Sequence, residues 1–144
     1  MPGNTDPVYS RVGDVTTNAT TGMGQAVTAA ANDYTGAGAN NVLVFTADAT
    51  NGGYLQRVRL KAAGTNVASV MRFFLNNGSA NTTAANNSFF GEISLPVTAA
   101  NAAAATQELD YTFNLALPAG FRIYAGLGTA VAAGWIMTPV AGKY

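Results

Sequence analysis

Arg57-Val58-Arg59-Leu60-Lys61-Ala62 sets a cation beside an apolar residue three times in succession. Successive side chains of a β-strand point to opposite faces, so Val58, Leu60 and Ala62 share one face while Arg57, Arg59 and Lys61 share the other. A helix, with its 3.6-residue period, would scatter the two classes around its axis. The stretch therefore reads as a strand with one face in a core and one in solvent.

The same period recurs on either side of it. Val42-Leu43-Val44-Phe45-Thr46-Ala47 is apolar on both faces, and Asp48 to Gly53 follows as turn chemistry. Because Asn51-Gly52 is a strong hairpin signal, Tyr54–Ala62 is expected to pair back on that first run. Val67 to Leu75 is apolar on both faces apart from Arg72, the pattern of a strand that is central or lies under a neighbour. Asn76 to Ser88 is polar, uncharged and long enough to project as a loop, and such loops commonly carry function.

Phe89–Leu95, limited by Pro96, resumes strand character, and an Ala-rich connection runs from Thr98 to Thr106. In Leu109–Leu117 the apolar residues alternate with Asp110, Thr112, Asn114 and Ala116; Phe121–Ala125 and Trp135–Val140 complete the set. Six to seven short strands punctuated by Gly, Asn and Pro, with no helix between them, predict an all-β fold: an antiparallel β-sandwich or jelly roll, with a closed barrel as the alternative. No internal repeat is present.

Residues 1–40 have a different texture. Gly, Thr, Asn and Ala dominate, with isolated apolar residues such as Val8, Tyr9 and Val12. The Ala-rich run Gln25–Ala31 lacks a cap or a charged face, so an extended conformation is expected over a helix. This reads as an extended N-terminal arm, 1–40, attached to a β-sandwich body, 41–144. Val8, Tyr9 and Arg11 are its candidate contact residues.

Composition limits the chemistry. In 144 residues there is no His and no Cys, and charged residues make up 10%. The side chains that most often transfer protons, attack as nucleophiles or ligate transition metals are missing, so neither an enzyme nor a cofactor or metal site is expected. Seven basic and seven acidic residues give a net charge of +0, which supplies no field toward nucleic acid or an anionic membrane. A near-neutral surface also lacks the self-repulsion that keeps copies apart, so self-association is expected. The first seven residues show neither the basic n-region nor the apolar h-region of a secretory signal.

Three constellations merit weighing. Glu108 and Asp110, two apart on a strand, place their carboxylates about 7 Å apart on one face, within the range of paired glycosidase acids. No aromatic platform or pKa-shifting cation accompanies them, and a solvated strand face explains them better. Calcium at this face, with Asn114 nearby, has no spaced Asp/Asn/Gly loop to support it. Arg57, Arg59 and Lys61 form a row of like charges that repel unless acid is supplied. Two readings are open: neutralisation by Glu108 and Asp110 across the same sheet, or contact with a partner subunit. Phe73, Phe74, Phe89, Phe90, Tyr124 and Trp135 are expected mostly in the core, and Asn76 and Asn77 open the polar loop as contact candidates.

The body also resembles a known group. Val42-Leu43-Val44-Phe45-Thr46-Ala47, Leu60-Lys61-Ala62-Ala63-Gly64-Thr65-Asn66-Val67-Ala68, Phe74-Leu75-Asn76-Asn77-Gly78-Ser79, Leu115-Ala116-Leu117-Pro118-Ala119-Gly120 and Gly128-Thr129-Ala130-Val131-Ala132-Ala133-Gly134-Trp135 are similar to small tailed-bacteriophage virion proteins of the capsid decoration, or cement, type. These are scaffold and turn motifs without catalytic residues. The resemblance implies a β-sandwich that binds the major capsid protein at the outer capsid surface as a homotrimer, made in the host cytoplasm and located in the virion. The alternative of a different class is a tail-associated receptor or carbohydrate-binding virion module using the 76–88 loop; a glycosidase using Glu108 and Asp110 trails both.

Overall fold

The computed structural model describes residues 12–14 and 26–144. Among them are nine strands: β1 Val12–Asp14, β2 Ala26–Val27, β3 Val42–Thr46, β4 Gly53–Ala62, β5 Ser69–Asn76, β6 Asn87–Leu95, β7 Glu108–Leu117, β8 Arg122–Leu127 and β9 Trp135–Lys143. The sole helical segment among the described residues is a 3₁₀ turn at Ala84–Asn86. The chain is an antiparallel β-sandwich. One sheet runs β1-β9-β4-β7, with β2 also on β9, and the other runs β3-β8-β5-β6. Among the described residues the two sheets do not join into a barrel: one ends at β1 and β7, the other at β3 and β6.

The alternation read in β4 is realised. Val58 and Leu60 are fully buried and Ala62 nearly so, while Arg59 is exposed and Arg57 and Lys61 are half-buried on the outer face. Opposite them in the second sheet stand Met71, Phe73, Ile123, Ala125 and Leu127, all at 0% exposure. Trp135 and Met137 from β9 and Phe113 and Leu117 from β7 close the core. Burying each of the larger side chains contributes roughly 1.5–3 kcal/mol, which together must offset the ordering of the backbone.

The expected hairpin between the first two body strands is not formed. β3 pairs with β8, whereas β4 pairs with β7 and β9 in the other sheet. The turn between them closes on itself, Asp48 and Gly52 exchanging both backbone hydrogen bonds at 3.1 Å. Gly52 takes φ +84°, and a Cβ there would collide with the Leu117 carbonyl oxygen, so the Asn-Gly pair makes a corner between sheets. The same holds almost throughout: from β3 to β9, only the β5–β6 connection joins neighbours within one sheet.

β9 is a central strand that contains Pro139, a residue with no N–H for a ladder. Pro139 is opposite Val58 of β4, and on β9's other side β2 covers 135–136 and β1 covers 141–143. The proline thus falls between the stretches of β9 that β2 and β1 cover, and among the described residues no strand pairs with it on that side.

Residues 26–40 differ from the sequence expectation, which places them in the arm. β2 pairs with β9, Ala31 and Asn32 donate backbone hydrogen bonds to the Leu127 carbonyl, and the segment then crosses the outer face of β8, β5 and β6. Beneath it Phe74 is completely buried although it points away from the sandwich core. Small residues allow this approach: Gly36 rests on the Phe74 ring and Ala31 faces Gly126. β5 is therefore apolar on both faces because each face has a cover.

Candidate partner-binding surface

The outer face of β4 and β7 carries the charged residues singled out in the sequence. Arg59 Nη2 is 2.7 Å from Glu108 Oε1, and Arg59 Nε lies 3.8 Å from Asp110 Oδ1. Arg57 Nε lies 3.5 Å from the same Asp110 oxygen. Lys61 Nζ instead donates to the Thr106 carbonyl at 2.7 Å. The register explains the pattern, since Arg59 stands opposite Asp110 and Lys61 opposite Glu108. The ion pairs have side chains 39–47% exposed, so each is worth about 0–1 kcal/mol and weakens with salt. The neutralised face is the arrangement found, and it also ties up the carboxylates that a glycosidase reading needs.

A second charged group is differently placed. Arg72, at 8% exposure, lies on the outer face of β5 under the covering segment. Its Nε is 3.2 Å from Glu92 Oε2, its Nη2 donates to the Tyr34 hydroxyl at 3.0 Å, and its guanidinium sits 4.0 Å from the Tyr34 ring centroid. Arg72 thereby joins β5, β6 and the covering segment. That segment is itself held by Asp33, whose carboxylate accepts hydrogen bonds from the backbone of Thr35, Gly36 and Gly38 and from Asn41 Nδ2. Burial raises the Asp33 pKa, but the hydrogen bonds from Asn41, Thr35 and Gly36 outweigh it and leave the carboxyl below its ordinary value.

At the open side of the sandwich, β6 and β7 are both edge strands. Gly91 allows their close approach, since a Cβ there would collide with the Tyr111 hydroxyl. Burial pushes the pKa of that hydroxyl up. Two chains of aromatic rings end here. Phe73, Phe113 and Phe90 form one, with Phe90 stacked on Phe113 at 4.9 Å; Phe74, Phe89 and Tyr34 form the other, with Phe89 and Tyr34 edge to face at 5.4 Å. The β5–β6 register skips Phe90 at a bulge, and the successive rings pack on different partners, Phe89 on Phe74 and Phe90 on Phe113. Phe89, Phe90 and Tyr34 are 41%, 38% and 58% exposed, so the edge is rimmed by aromatic surface.

The loop between β5 and β6 is stapled by asparagines. Asn76 is fully buried: its Nδ2 donates to Asn87 Oδ1 at 2.8 Å and its Oδ1 accepts from Gly78 N at 2.9 Å. Asn87 Nδ2 donates to the Asn81 carbonyl, and Asn86 Nδ2 to the Ala80 carbonyl. Asn76 thus shapes the loop from inside and offers nothing to a partner, whereas Asn77 is exposed on its surface. Val8, Tyr9 and Arg11 lie outside the described residues. Sequence reasoning did not single out Tyr34 or Arg72 as site residues; the lone Arg in an apolar strand was the available signal for the second. Among the described residues no group of three or more His, Cys, Asp or Glu side chains is placed to hold a metal ion. Comparison with protein-family models, curated proteins and solved structures finds no match to this chain.

Proposed function

We propose that this chain is a phage capsid decoration protein, a non-enzymatic component that binds the outer capsid surface as a homotrimer and stabilises contacts between major capsid subunits. The observation that carries the reading is the open side of the sandwich, where two adjacent edge strands meet a rim of three exposed aromatic rings. Backbone groups on an edge strand pair with an added strand, and aromatic anchors supply contact area at small entropic cost. Support also comes from the neutral, low-charge composition and from the resemblance of the body to virion proteins. Three copies would multiply modest contacts by avidity.

In this reading Arg57, Arg59 and Lys61 contribute at a rim, because their charge is already shared with Glu108 and Asp110. Val8, Tyr9 and Arg11 extend the contact along a neighbouring subunit. Residues 26–40 are not part of that arm contact, since they pack on the chain's own body with Gly36 against Phe74; from this segment Tyr34 joins the aromatic rim instead.

The test is the loading of purified protein onto undecorated capsids, followed by imaging and a heat challenge of the particles. Wild-type protein should appear on the capsid face and raise the temperature at which particles release DNA. Phe89→Glu with Phe90→Glu should abolish loading while the free protein stays folded, and deletion of residues 1–11 should lower loading. Labelled protein found at the tail, or full loading by the double Glu variant, would overturn the reading.

A further inference from the structure

At the stapled loop lies a cavity of about 210 Å³, open to solvent, lined by Leu75, Asn77, Ala85, Asn86, Asn87, Ser88 and Phe121. It is smaller than the roughly 300–1,000 Å³ of sites that enclose drug-sized molecules, so its capacity is a single ring. Its wall divides by chemistry. Leu75, Ala85 and the half-buried Phe121 ring present apolar surface; Asn77, Asn86 and Ser88 supply amides and a hydroxyl. No ionisable side chain lines it, which disfavours a charged ligand.

The polar groups are only partly spent. The Ser88 hydroxyl makes no hydrogen bond among the described residues, and Asn77 Nδ2 reaches Asn86 Oδ1 at 3.4 Å, a long bond that a ligand hydroxyl would improve on. Meanwhile the loop backbone is already ordered. Asn77 N donates to the Asn86 carbonyl at 3.0 Å, Ser79 N to Asn77 Oδ1 at 3.0 Å, and the buried Asn76–Asn87 bond anchors the loop's base. Little ordering would be needed on binding, which preserves affinity for a small ligand.

A ring with an apolar C–H face and hydroxyls around its edge matches both halves of this wall. We propose that the cavity is a subsite for one neutral pyranose of a glycan, with the ring's apolar face toward Phe121 and Leu75 and its hydroxyls toward Asn77, Asn86 and Ser88. A carboxylate-bearing or sulfated sugar is not a ligand, because no cation faces the cavity. This inference does not rest on capsid decoration; it adds a second surface, formed by the loop and by Phe121 immediately before β8, to a protein that decorates or to one that does not.

The test is titration of the full chain with methyl glycosides of glucose, galactose, mannose and N-acetylglucosamine, following backbone and side-chain amide signals by NMR. At least one glycoside should shift the Asn77, Asn86 and Ser88 signals saturably in the millimolar range, as expected for a ligand with so few atoms. Asn77→Ala and Ser88→Ala should each weaken binding about three- to tenfold while the remaining spectrum is unchanged. Phe121→Leu should weaken it while keeping the fold, which guards against a Phe121→Ala variant that fails to fold. Absence of saturable shifts with all four glycosides, or shifts indifferent to Asn77→Ala and Ser88→Ala, would overturn the assignment. Capsid loading by the same variants reads the other proposal separately: lost sugar binding with intact loading leaves decoration standing.

Discussion

The two outer faces of this sandwich are built on opposite terms. On the β4–β7 sheet, Arg57 and Arg59 meet Glu108 and Asp110 at the water-facing surface and neutralise one another, while Lys61 donates to the Thr106 carbonyl. On the β5–β6 sheet, Phe74 and Arg72 occupy the corresponding outward positions and are buried by residues of the 26–41 segment. An outward face that alternates with charge needs no cover; one that carries Phe beside Arg does. The first face gains little energy and tolerates change, while the second makes a stretch that looks like linker into a structural layer.

The largest effect expected from breaking this contrast is at Phe74. Phe74→Ala should destabilise the fold by about 3–5 kcal/mol in denaturant titration, as for a core phenylalanine, although the residue lies outside the main core. A cost under about 1 kcal/mol would mean that the covering layer is dispensable. Next in size, Glu92→Gln leaves Arg72 buried with a weaker partner and should cost about 1–2 kcal/mol, less than a fully buried pair because Glu92 is 42% exposed. The loss should be nearly independent of salt, which thermal melts at low and high ionic strength would check.

Asp33 gives the contrast a pH dependence. Its folded pKa lies below the ordinary carboxylate value, so its contribution is present above the unfolded pKa of about 3.9 and is lost as pH falls through the lower folded value. Asp33→Asn should therefore be less stable than wild type at neutral pH, and the two stabilities should converge in strong acid. A difference that persists unchanged at the lowest pH would assign the effect to packing. The smallest change is expected on the open face: Arg59→Ala should cost no more than about 1 kcal/mol, and that cost should shrink in high salt.

The sequence made the seven body strands legible because a period of two survives wherever one face meets solvent, as in Arg57–Ala62 and Leu109–Leu117. Turn residues likewise marked where strands stop. They did not mark which sheet the next strand joins: Asn51-Gly52 has the local chemistry of a hairpin, and the pairing of β4 with β7 and β9 is decided by packing distant in sequence. The covering segment was hidden for a related reason. Gly36, Gly38 and Ala31 fit because they are small, and small residues carry no period to read. Of the candidate surface, the pairing of Arg57 and Arg59 with Glu108 and Asp110 was one of two readings that the alternation left open. The buried role of Asn76 was not legible, since a polar residue at a strand end gives no sign of whether it faces inward.

The position of β9 has a consequence for how the chain is made. It is the last of the described strands, yet it lies in the middle of its sheet, between β1 and β2 on one side and β4 on the other. On the ribosome, β4 must therefore emerge long before its inner neighbour exists, leaving Leu55, Val58 and Leu60 without a completed sheet. Completion of this sheet is therefore a late event in synthesis rather than a vectorial one, because its central pairing joins strands far apart in sequence.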